Sequence, residues 1–135
     1  MRIPRRGCLE RVDPGRPGPS EAAYAPGAVL VVPMRGEVRG SEAIRRYEDG
    51  IRSAFPQATL RLSCLIARGR SVAVEWEYSG TNTGPMVMPG GVVAPTYRRL
   101  TLRGASFLRY TARGLIAEER RYYDVGDVLE QLGIS

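Results

Sequence analysis

The chain has 135 residues, 43% hydrophobic and 25% charged, with a formal net charge of +6. That is enough chain for one hydrophobic core and too little for two. It contains no histidine and no lysine, so histidine acid–base chemistry and lysine Schiff bases are excluded from the outset.

Residues 1–23 form a Pro/Arg-rich N-terminal arm, whose four prolines and three glycines leave too few apolar residues to bury. It opens M-R-I-P-R-R, with no apolar stretch behind it to make a secretory signal. The arginines lie singly or in pairs, at Arg5-Arg6, Arg45-Arg46, Arg98-Arg99 and Arg120-Arg121. No basic stripe with interleaved aromatics emerges, so a solvated surface is expected and no nucleic-acid partner. Cys8 and Cys64 make neither a disulfide framework nor a zinc spacing, and no metal site is expected. No apolar run of about 18 residues exists to cross a membrane. The expectation is a reduced, cytoplasmic protein.

The remaining residues, 24–135, read as a single domain. Ala28–Val32 (A-V-L-V-V) is a short β-branched run typical of a buried strand. Gly40 or Ser41 then caps a helix in which Ile44, Tyr47, Ile51, Ala54 and Phe55 fall on one stripe, and Pro56 stops it. Leu60, Leu62, Cys64 and Ile66 alternate as one buried strand face, and Arg68-Gly69-Arg70 turns the chain. Val72, Val74, Trp76 and Tyr78 share a face of the next strand, with Glu75 and Glu77 on the other.

Residues 81–95 form a loop in which Met86, Val87, Met88, Val92 and Val93 stand among prolines and glycines. It suits a pocket lid as well as a plain hairpin tip. Tyr97–Thr111 reads as a long strand bent at Gly104. Thr111-Ala112-Arg113-Gly114 reads as a three-residue hairpin loop with a left-handed glycine. That turn sets Tyr110 opposite Ile116, Leu108 opposite Glu118 and Ser106 opposite Arg120. Without a further bulge, Ser106, Leu108, Tyr110, Ile116, Glu118, Arg120, Tyr122 and Asp124 share one face. Val125–Leu132 makes a short terminal helix closed by Gly133.

Several of these pieces, in order and spacing, resemble the SnoaL-like polyketide cyclases of the nuclear-transport-factor-2-like superfamily. They are Y-A-P-G-A-V, G-S-E-A-I-R-R-Y, A-F-P, V-A-V-E-W-E-Y-S-G-T-N-T-G, and G-L-I-A-E-E-R-R-Y-Y-D with Q-L-G beyond it. The resemblance spans about Tyr24 to Gly133. It implies an α+β cone, a strongly curved mixed β-sheet with packed helices enclosing a pocket, and a homodimer formed through the outer sheet face. The long first helix of such proteins is missing or degenerate here, and Asn82 stands where they often carry histidine. The resemblance also implies a hydrophobic small-molecule substrate, no metal or cofactor, and ring closure of a polyketide by aldol condensation.

By the same resemblance Asp124, at the end of the last long strand, is the acid/base; its other reading is an N-cap of the terminal helix. Tyr110 and Tyr122 could donate to an enolate oxygen or serve as core and sheet-face aromatics. Arg120 could neutralise an oxyanion or pair with Glu118 or Glu75. Asn82 could orient a carbonyl or shape a turn. Trp76, Tyr78, Met86, Met88, Ser106 and Leu108 complete the expected substrate-binding wall. An isomerase or pericyclic cyclase would use the same pocket. A non-catalytic binding or dimerisation module on the same fold is the alternative. Epoxide hydrolysis would need a second carboxylate beside an arginine, which the sequence does not place.

Overall fold

The computed structural model describes residues 23–134. The arm expected over residues 1–23 lies, apart from its last residue, outside the described residues. Strand β1 (Tyr24–Val32) and the short β2 (Gly36–Arg39) pair antiparallel and lead into helix α1 (Ser41–Ala54). Strands β3 (Thr59–Arg68) and β4 (Ser71–Thr81) form one hairpin. A small hairpin, β5 (Met86–Met88) and β6 (Gly91–Val93), stands apart as its own two-stranded sheet. Strands β7 (Arg99–Tyr110) and β8 (Ile116–Tyr123) make the last long hairpin, and α2 (Val125–Leu132) ends the fold.

The main sheet runs β2-β1-β8-β7-β4-β3, with β1 parallel to β8 and every other pairing antiparallel. Helix α1 covers one face through the predicted stripe: Ile44, Ala54 and Phe55 are buried, while Tyr47 and Ile51 are partly buried. Gly40 precedes the helix at φ 91°, where a residue with a Cβ would be strained, and supplies no side-chain cap. The covered face holds three apolar clusters. Ala28, Leu30, Val32, Val38 and Ile44 form one; Leu65, Val72, Val74, Leu108, Tyr110 and Ile116 form a second. Phe55, Met86, Leu100, Leu102 and Leu132 centre the third.

The turn after β7 forms as expected. Thr111 N–H donates to the Leu115 carbonyl at 2.7 Å, and Gly114 sits at φ 83°. Two bulges then change what the alternation predicts. In β3, Leu62 lies opposite Trp76 but Cys64 lies opposite Glu75, so the strand slips by one residue at Ser63. Cys64 and Leu65 are consequently buried together, while Leu60 and Ile66 are 46% and 39% exposed. Cys64 is also disulfide-bonded, against the reduced protein expected from the sequence.

The second bulge lies in β8. Tyr110 pairs with Ile116 as expected, but Arg109 then pairs with Glu118, Leu108 with Glu119 and Ser106 with Arg121. A one-residue slip moves every later side chain to the other face. Glu119, Arg121 and Tyr123 therefore face α1, and Glu118, Arg120 and Tyr122 face away. The predicted lid region is an ordered hairpin with Met86 buried beneath it, and Val87 and Val92, paired across it, exposed outside.

Candidate functional site

Strand register sets the floor of the cone row by row. Trp76, Gly104 and Tyr123 lie side by side across β4, β7 and β8; Val74, Ser106 and Arg121 form the next row. Val72, Leu108, Glu119 and Leu30 follow. The Trp76 indole crosses Gly104, where an added Cβ would collide with the ring and lie 2.7 Å from the Tyr122 carbonyl. Its N–H donates to Ser106 Oγ at 3.0 Å, and its ring meets Tyr123 edge-on at 6.2 Å. Tyr78 meets Phe55 in the same way at 5.8 Å.

Against this floor, α1 contributes Tyr47 and Glu48, and β1 contributes Tyr24. Arg121 donates from Nε to Glu119 at 2.7 Å and from its terminal nitrogen to Glu48 Oε1. The same terminal nitrogen lies 3.4 Å from the Tyr24 hydroxyl, which itself donates to the other oxygen of Glu119. Both Glu119 oxygens are thus occupied, and the residue is 6% exposed. Glu48 uses one oxygen on Arg121, and among the described residues no other hydrogen bond reaches it. Its side chain keeps 25% exposure, against 8% for Glu119.

The electrostatics follow from this packing. Burial disfavours the Arg121 cation, but Glu119 and Glu48 more than offset that and hold its pKa well above the ordinary value. Burial, reinforced by Glu119, raises the Tyr24 phenol. Burial likewise raises Tyr47 and Tyr123, whose hydroxyls hydrogen-bond to each other. Tyr78 is pushed up to about 12 by burial, with Glu48 adding to the effect. At neutral pH all four phenols are therefore protonated donors beside one carboxylate with a free oxygen. Among the described residues no three His, Cys, Asp or Glu groups are placed to hold a metal ion.

The expected wall is only partly assembled here. Trp76, Tyr78 and Ser106 join the site, Ser106 as the acceptor for Trp76. Leu108 and Tyr110 are on the correct face but lie deeper, buried in the apolar cluster with Val72, Val74 and Ile116. Met86 is buried against Phe55 and Leu102, and Met88 packs on the same cluster.

Asn82 is wholly buried, and its amide is used up within the chain. It donates to the Ala54 and Gly84 carbonyls at 3.1 and 2.8 Å and accepts from Thr96 N–H and Oγ1 at 2.7 and 3.0 Å. It fastens the end of α1 to the loop instead of facing the interior. Arg120 and Tyr122 lie on the outer face because of the β8 bulge, Tyr122 53% exposed and edge-on to Phe107 at 5.8 Å. Asp124 is exposed and is the N-cap of α2, accepting from the Asp127 N–H at 3.2 Å. Sequence reasoning did not single out Tyr24, Tyr47, Glu48, Glu119, Arg121 or Tyr123 as site residues.

A curved mixed sheet closed over a helix, with one cluster of ionisable groups on the enclosed face, defines a cone-shaped α+β domain of the nuclear-transport-factor-2-like type. Solved structures share that fold. A proposed SnoaL-like polyketide cyclase from Jannaschia sp. CCS1 superposes with a TM-score of 0.73 at 18% identity, covering 84% of this chain and 75% of that one. A protein of ketosteroid isomerase-like fold from Catenulispora acidiphila DSM 44928 gives 0.67 at 20%, covering 84% and 78%. AclR, a proposed hydroxylase from Streptomyces galilaeus, gives 0.65 at 24%, covering 82% and 66%. At these identities the likeness is one of fold. The SnoaL-like domain model matches residues 6–119, and the chain belongs to that family. No curated protein is significantly similar to it.

Proposed function

We propose that this protein is a cofactor-independent enzyme that closes a ring in a polyketide-type substrate by acid/base catalysis inside the cone. The observation that carries the reading is Glu48, a carboxylate with one free oxygen set among protonated phenols. Glu48 takes the proton from a carbon between two carbonyls, and Tyr47, Tyr123 or Tyr78 donates to the enolate oxygen. The enolate carbon then bonds to a second carbonyl carbon, whose oxygen recovers the proton from Glu48. In this reading Glu48 takes the part that the family resemblance gives to Asp124. An isomerase would use the same first step and return the proton to a different carbon.

A second reading is favoured by the Glu48–Arg121–Glu119 arrangement, which supplies the carboxylate pair about an arginine that the sequence did not place. Glu48 would remove a proton from water while the water oxygen bonds to an epoxide carbon. The breaking C–O bond leaves an oxygen that a phenol protonates.

The purified protein supplied separately with a linear aryl poly-β-keto ester and with cyclohexene oxide distinguishes the two. Cyclised product from the first supports the cyclase, and diol from the second supports the hydrolase. Ligand binding with turnover of neither leaves a binding module. The reading includes a homodimer through the outer face, where Phe107 and Tyr122 are each about half exposed. Sedimentation of Phe107→Glu should then give monomer where the native protein gives dimer; a native protein that sediments as monomer contradicts it.

A further inference from the structure

We infer that Trp76 is a partition that limits how long a ligand the cone accepts, and that Ser106 is the positioning residue that holds it there. This rests on the reading that the ligand lies beside Glu48 and its phenols. Two apolar clusters line the enclosed face on either side of the indole. One is centred on Phe55, Met86 and Leu102, and Tyr78 and Tyr123 pack against it. The other contains Val72, Val74 and Leu108. Among the described residues, Trp76 is the one hydrophobic side chain packed against both. The phenols Tyr78 and Tyr123 stand on the Phe55 side, so a ligand engaged with them meets the indole as an end wall.

The ring is fixed from three sides. It lies across Gly104, where the missing Cβ leaves room for it. It meets Tyr123 edge-on at 6.2 Å toward β8. Its N–H donates at 3.0 Å to Ser106 Oγ, which stands beside Val74 in the next row. Ser106 is 2% exposed and acts on a ligand only through the ring, whereas Trp76 is partly exposed. Turning the ring away would leave its N–H without an acceptor, so the hydrogen bond locks the wall in place. Removing the indole would join the two clusters into one apolar space that a longer chain could fill.

The test is the affinity of ethyl and hexyl benzoylacetate, measured by calorimetry, which needs no turnover. The native protein should bind the hexyl ester no tighter than the ethyl ester, because the added methylenes meet the ring. Trp76→Ala should turn this into a preference for the hexyl ester of about tenfold or more, as those methylenes become buried. Ser106→Ala should move the preference the same way by a smaller factor. It should also shift the indole N–H resonance, which is single in a chain with one tryptophan, and speed its exchange with solvent. Ser106→Thr keeps the hydroxyl and should restore both readouts. The serine variants serve if Trp76→Ala does not fold. A native ester preference in folded Trp76→Ala overturns the partition, and a native indole resonance in folded Ser106→Ala overturns the positioning role. Binding of neither ester by any folded form overturns both. The acid/base reading fails by a different result, namely proton exchange that survives Glu48→Gln.

Discussion

Arg121 on β8 and Glu48 on α1 are 73 residues apart and joined side chain to side chain, tying the helix to the middle of the sheet's enclosed face. That contact fastens the helix over the cone and holds Glu48, whose second oxygen meets no hydrogen-bond donor among the described residues. Structure and proposed chemistry meet in the same pair.

Removing the cation should therefore be costly. Arg121→Met leaves Glu48 and Glu119 facing each other with no counter-charge, and breaking a buried ionic network costs about 3 kcal/mol or more. Urea denaturation should show the midpoint fall with little change in slope. The double variant Arg121→Met with Glu119→Gln should recover part of the loss, since it removes one orphaned charge.

Alkaline pH should weaken the fold through the interior phenols. Tyr78 has a folded pKa of about 12 against 10.0 for the free side chain, and Tyr24, Tyr47 and Tyr123 are raised as well. A folded pKa above the unfolded one means that the native state holds the proton more tightly. The contribution is complete below about pH 10 and falls as pH rises toward 12. The phenolate absorbance of these four tyrosines should accordingly appear late and together with loss of the folded circular dichroism signal. Phenolate formation half complete by pH 10 in the folded protein would be inconsistent with these shifts.

Gly104 is required by the ring beside it. Gly104→Ala pushes a methyl group into Trp76 and toward the Tyr122 carbonyl, which belongs to a paired strand and cannot swing aside. Overpacking of this kind costs about 1–3 kcal/mol. Trp76 is the single tryptophan, so its emission reports the displacement directly. Unchanged emission and stability would mean that the ring has room to move.

Much of the fold was legible because its signals are local. The α1 stripe ending at Phe55-Pro56, the Thr111–Gly114 turn and the Gly133 closure each rest on residues that do one thing well. The site was less legible because bulges at Ser63 and Ala117 carry no local mark. In β8 the sequence also hides the slip: E-E-R-R-Y-Y presents each chemistry twice in succession. Either register puts one glutamate, one arginine and one tyrosine on each face. Alternation could not choose between Glu118, Arg120, Tyr122 and Glu119, Arg121, Tyr123, and the first set was expected inside. Asn82 was legible as a carbonyl-orienting or turn residue but not as a tie between elements, because the carbonyls it holds lie on either side of it in sequence, at Ala54 and Gly84.

The account turns on which carboxylate moves the proton. The most direct measurement is α-proton exchange of ethyl benzoylacetate in deuterated buffer, followed by NMR for the native protein, Glu48→Gln and Asp124→Asn. The account predicts exchange faster than buffer alone, lost by about 100-fold or more in Glu48→Gln and nearly unchanged in Asp124→Asn. Exchange that survives in folded Glu48→Gln and disappears in folded Asp124→Asn would contradict it and return the proton transfer to the end of β8.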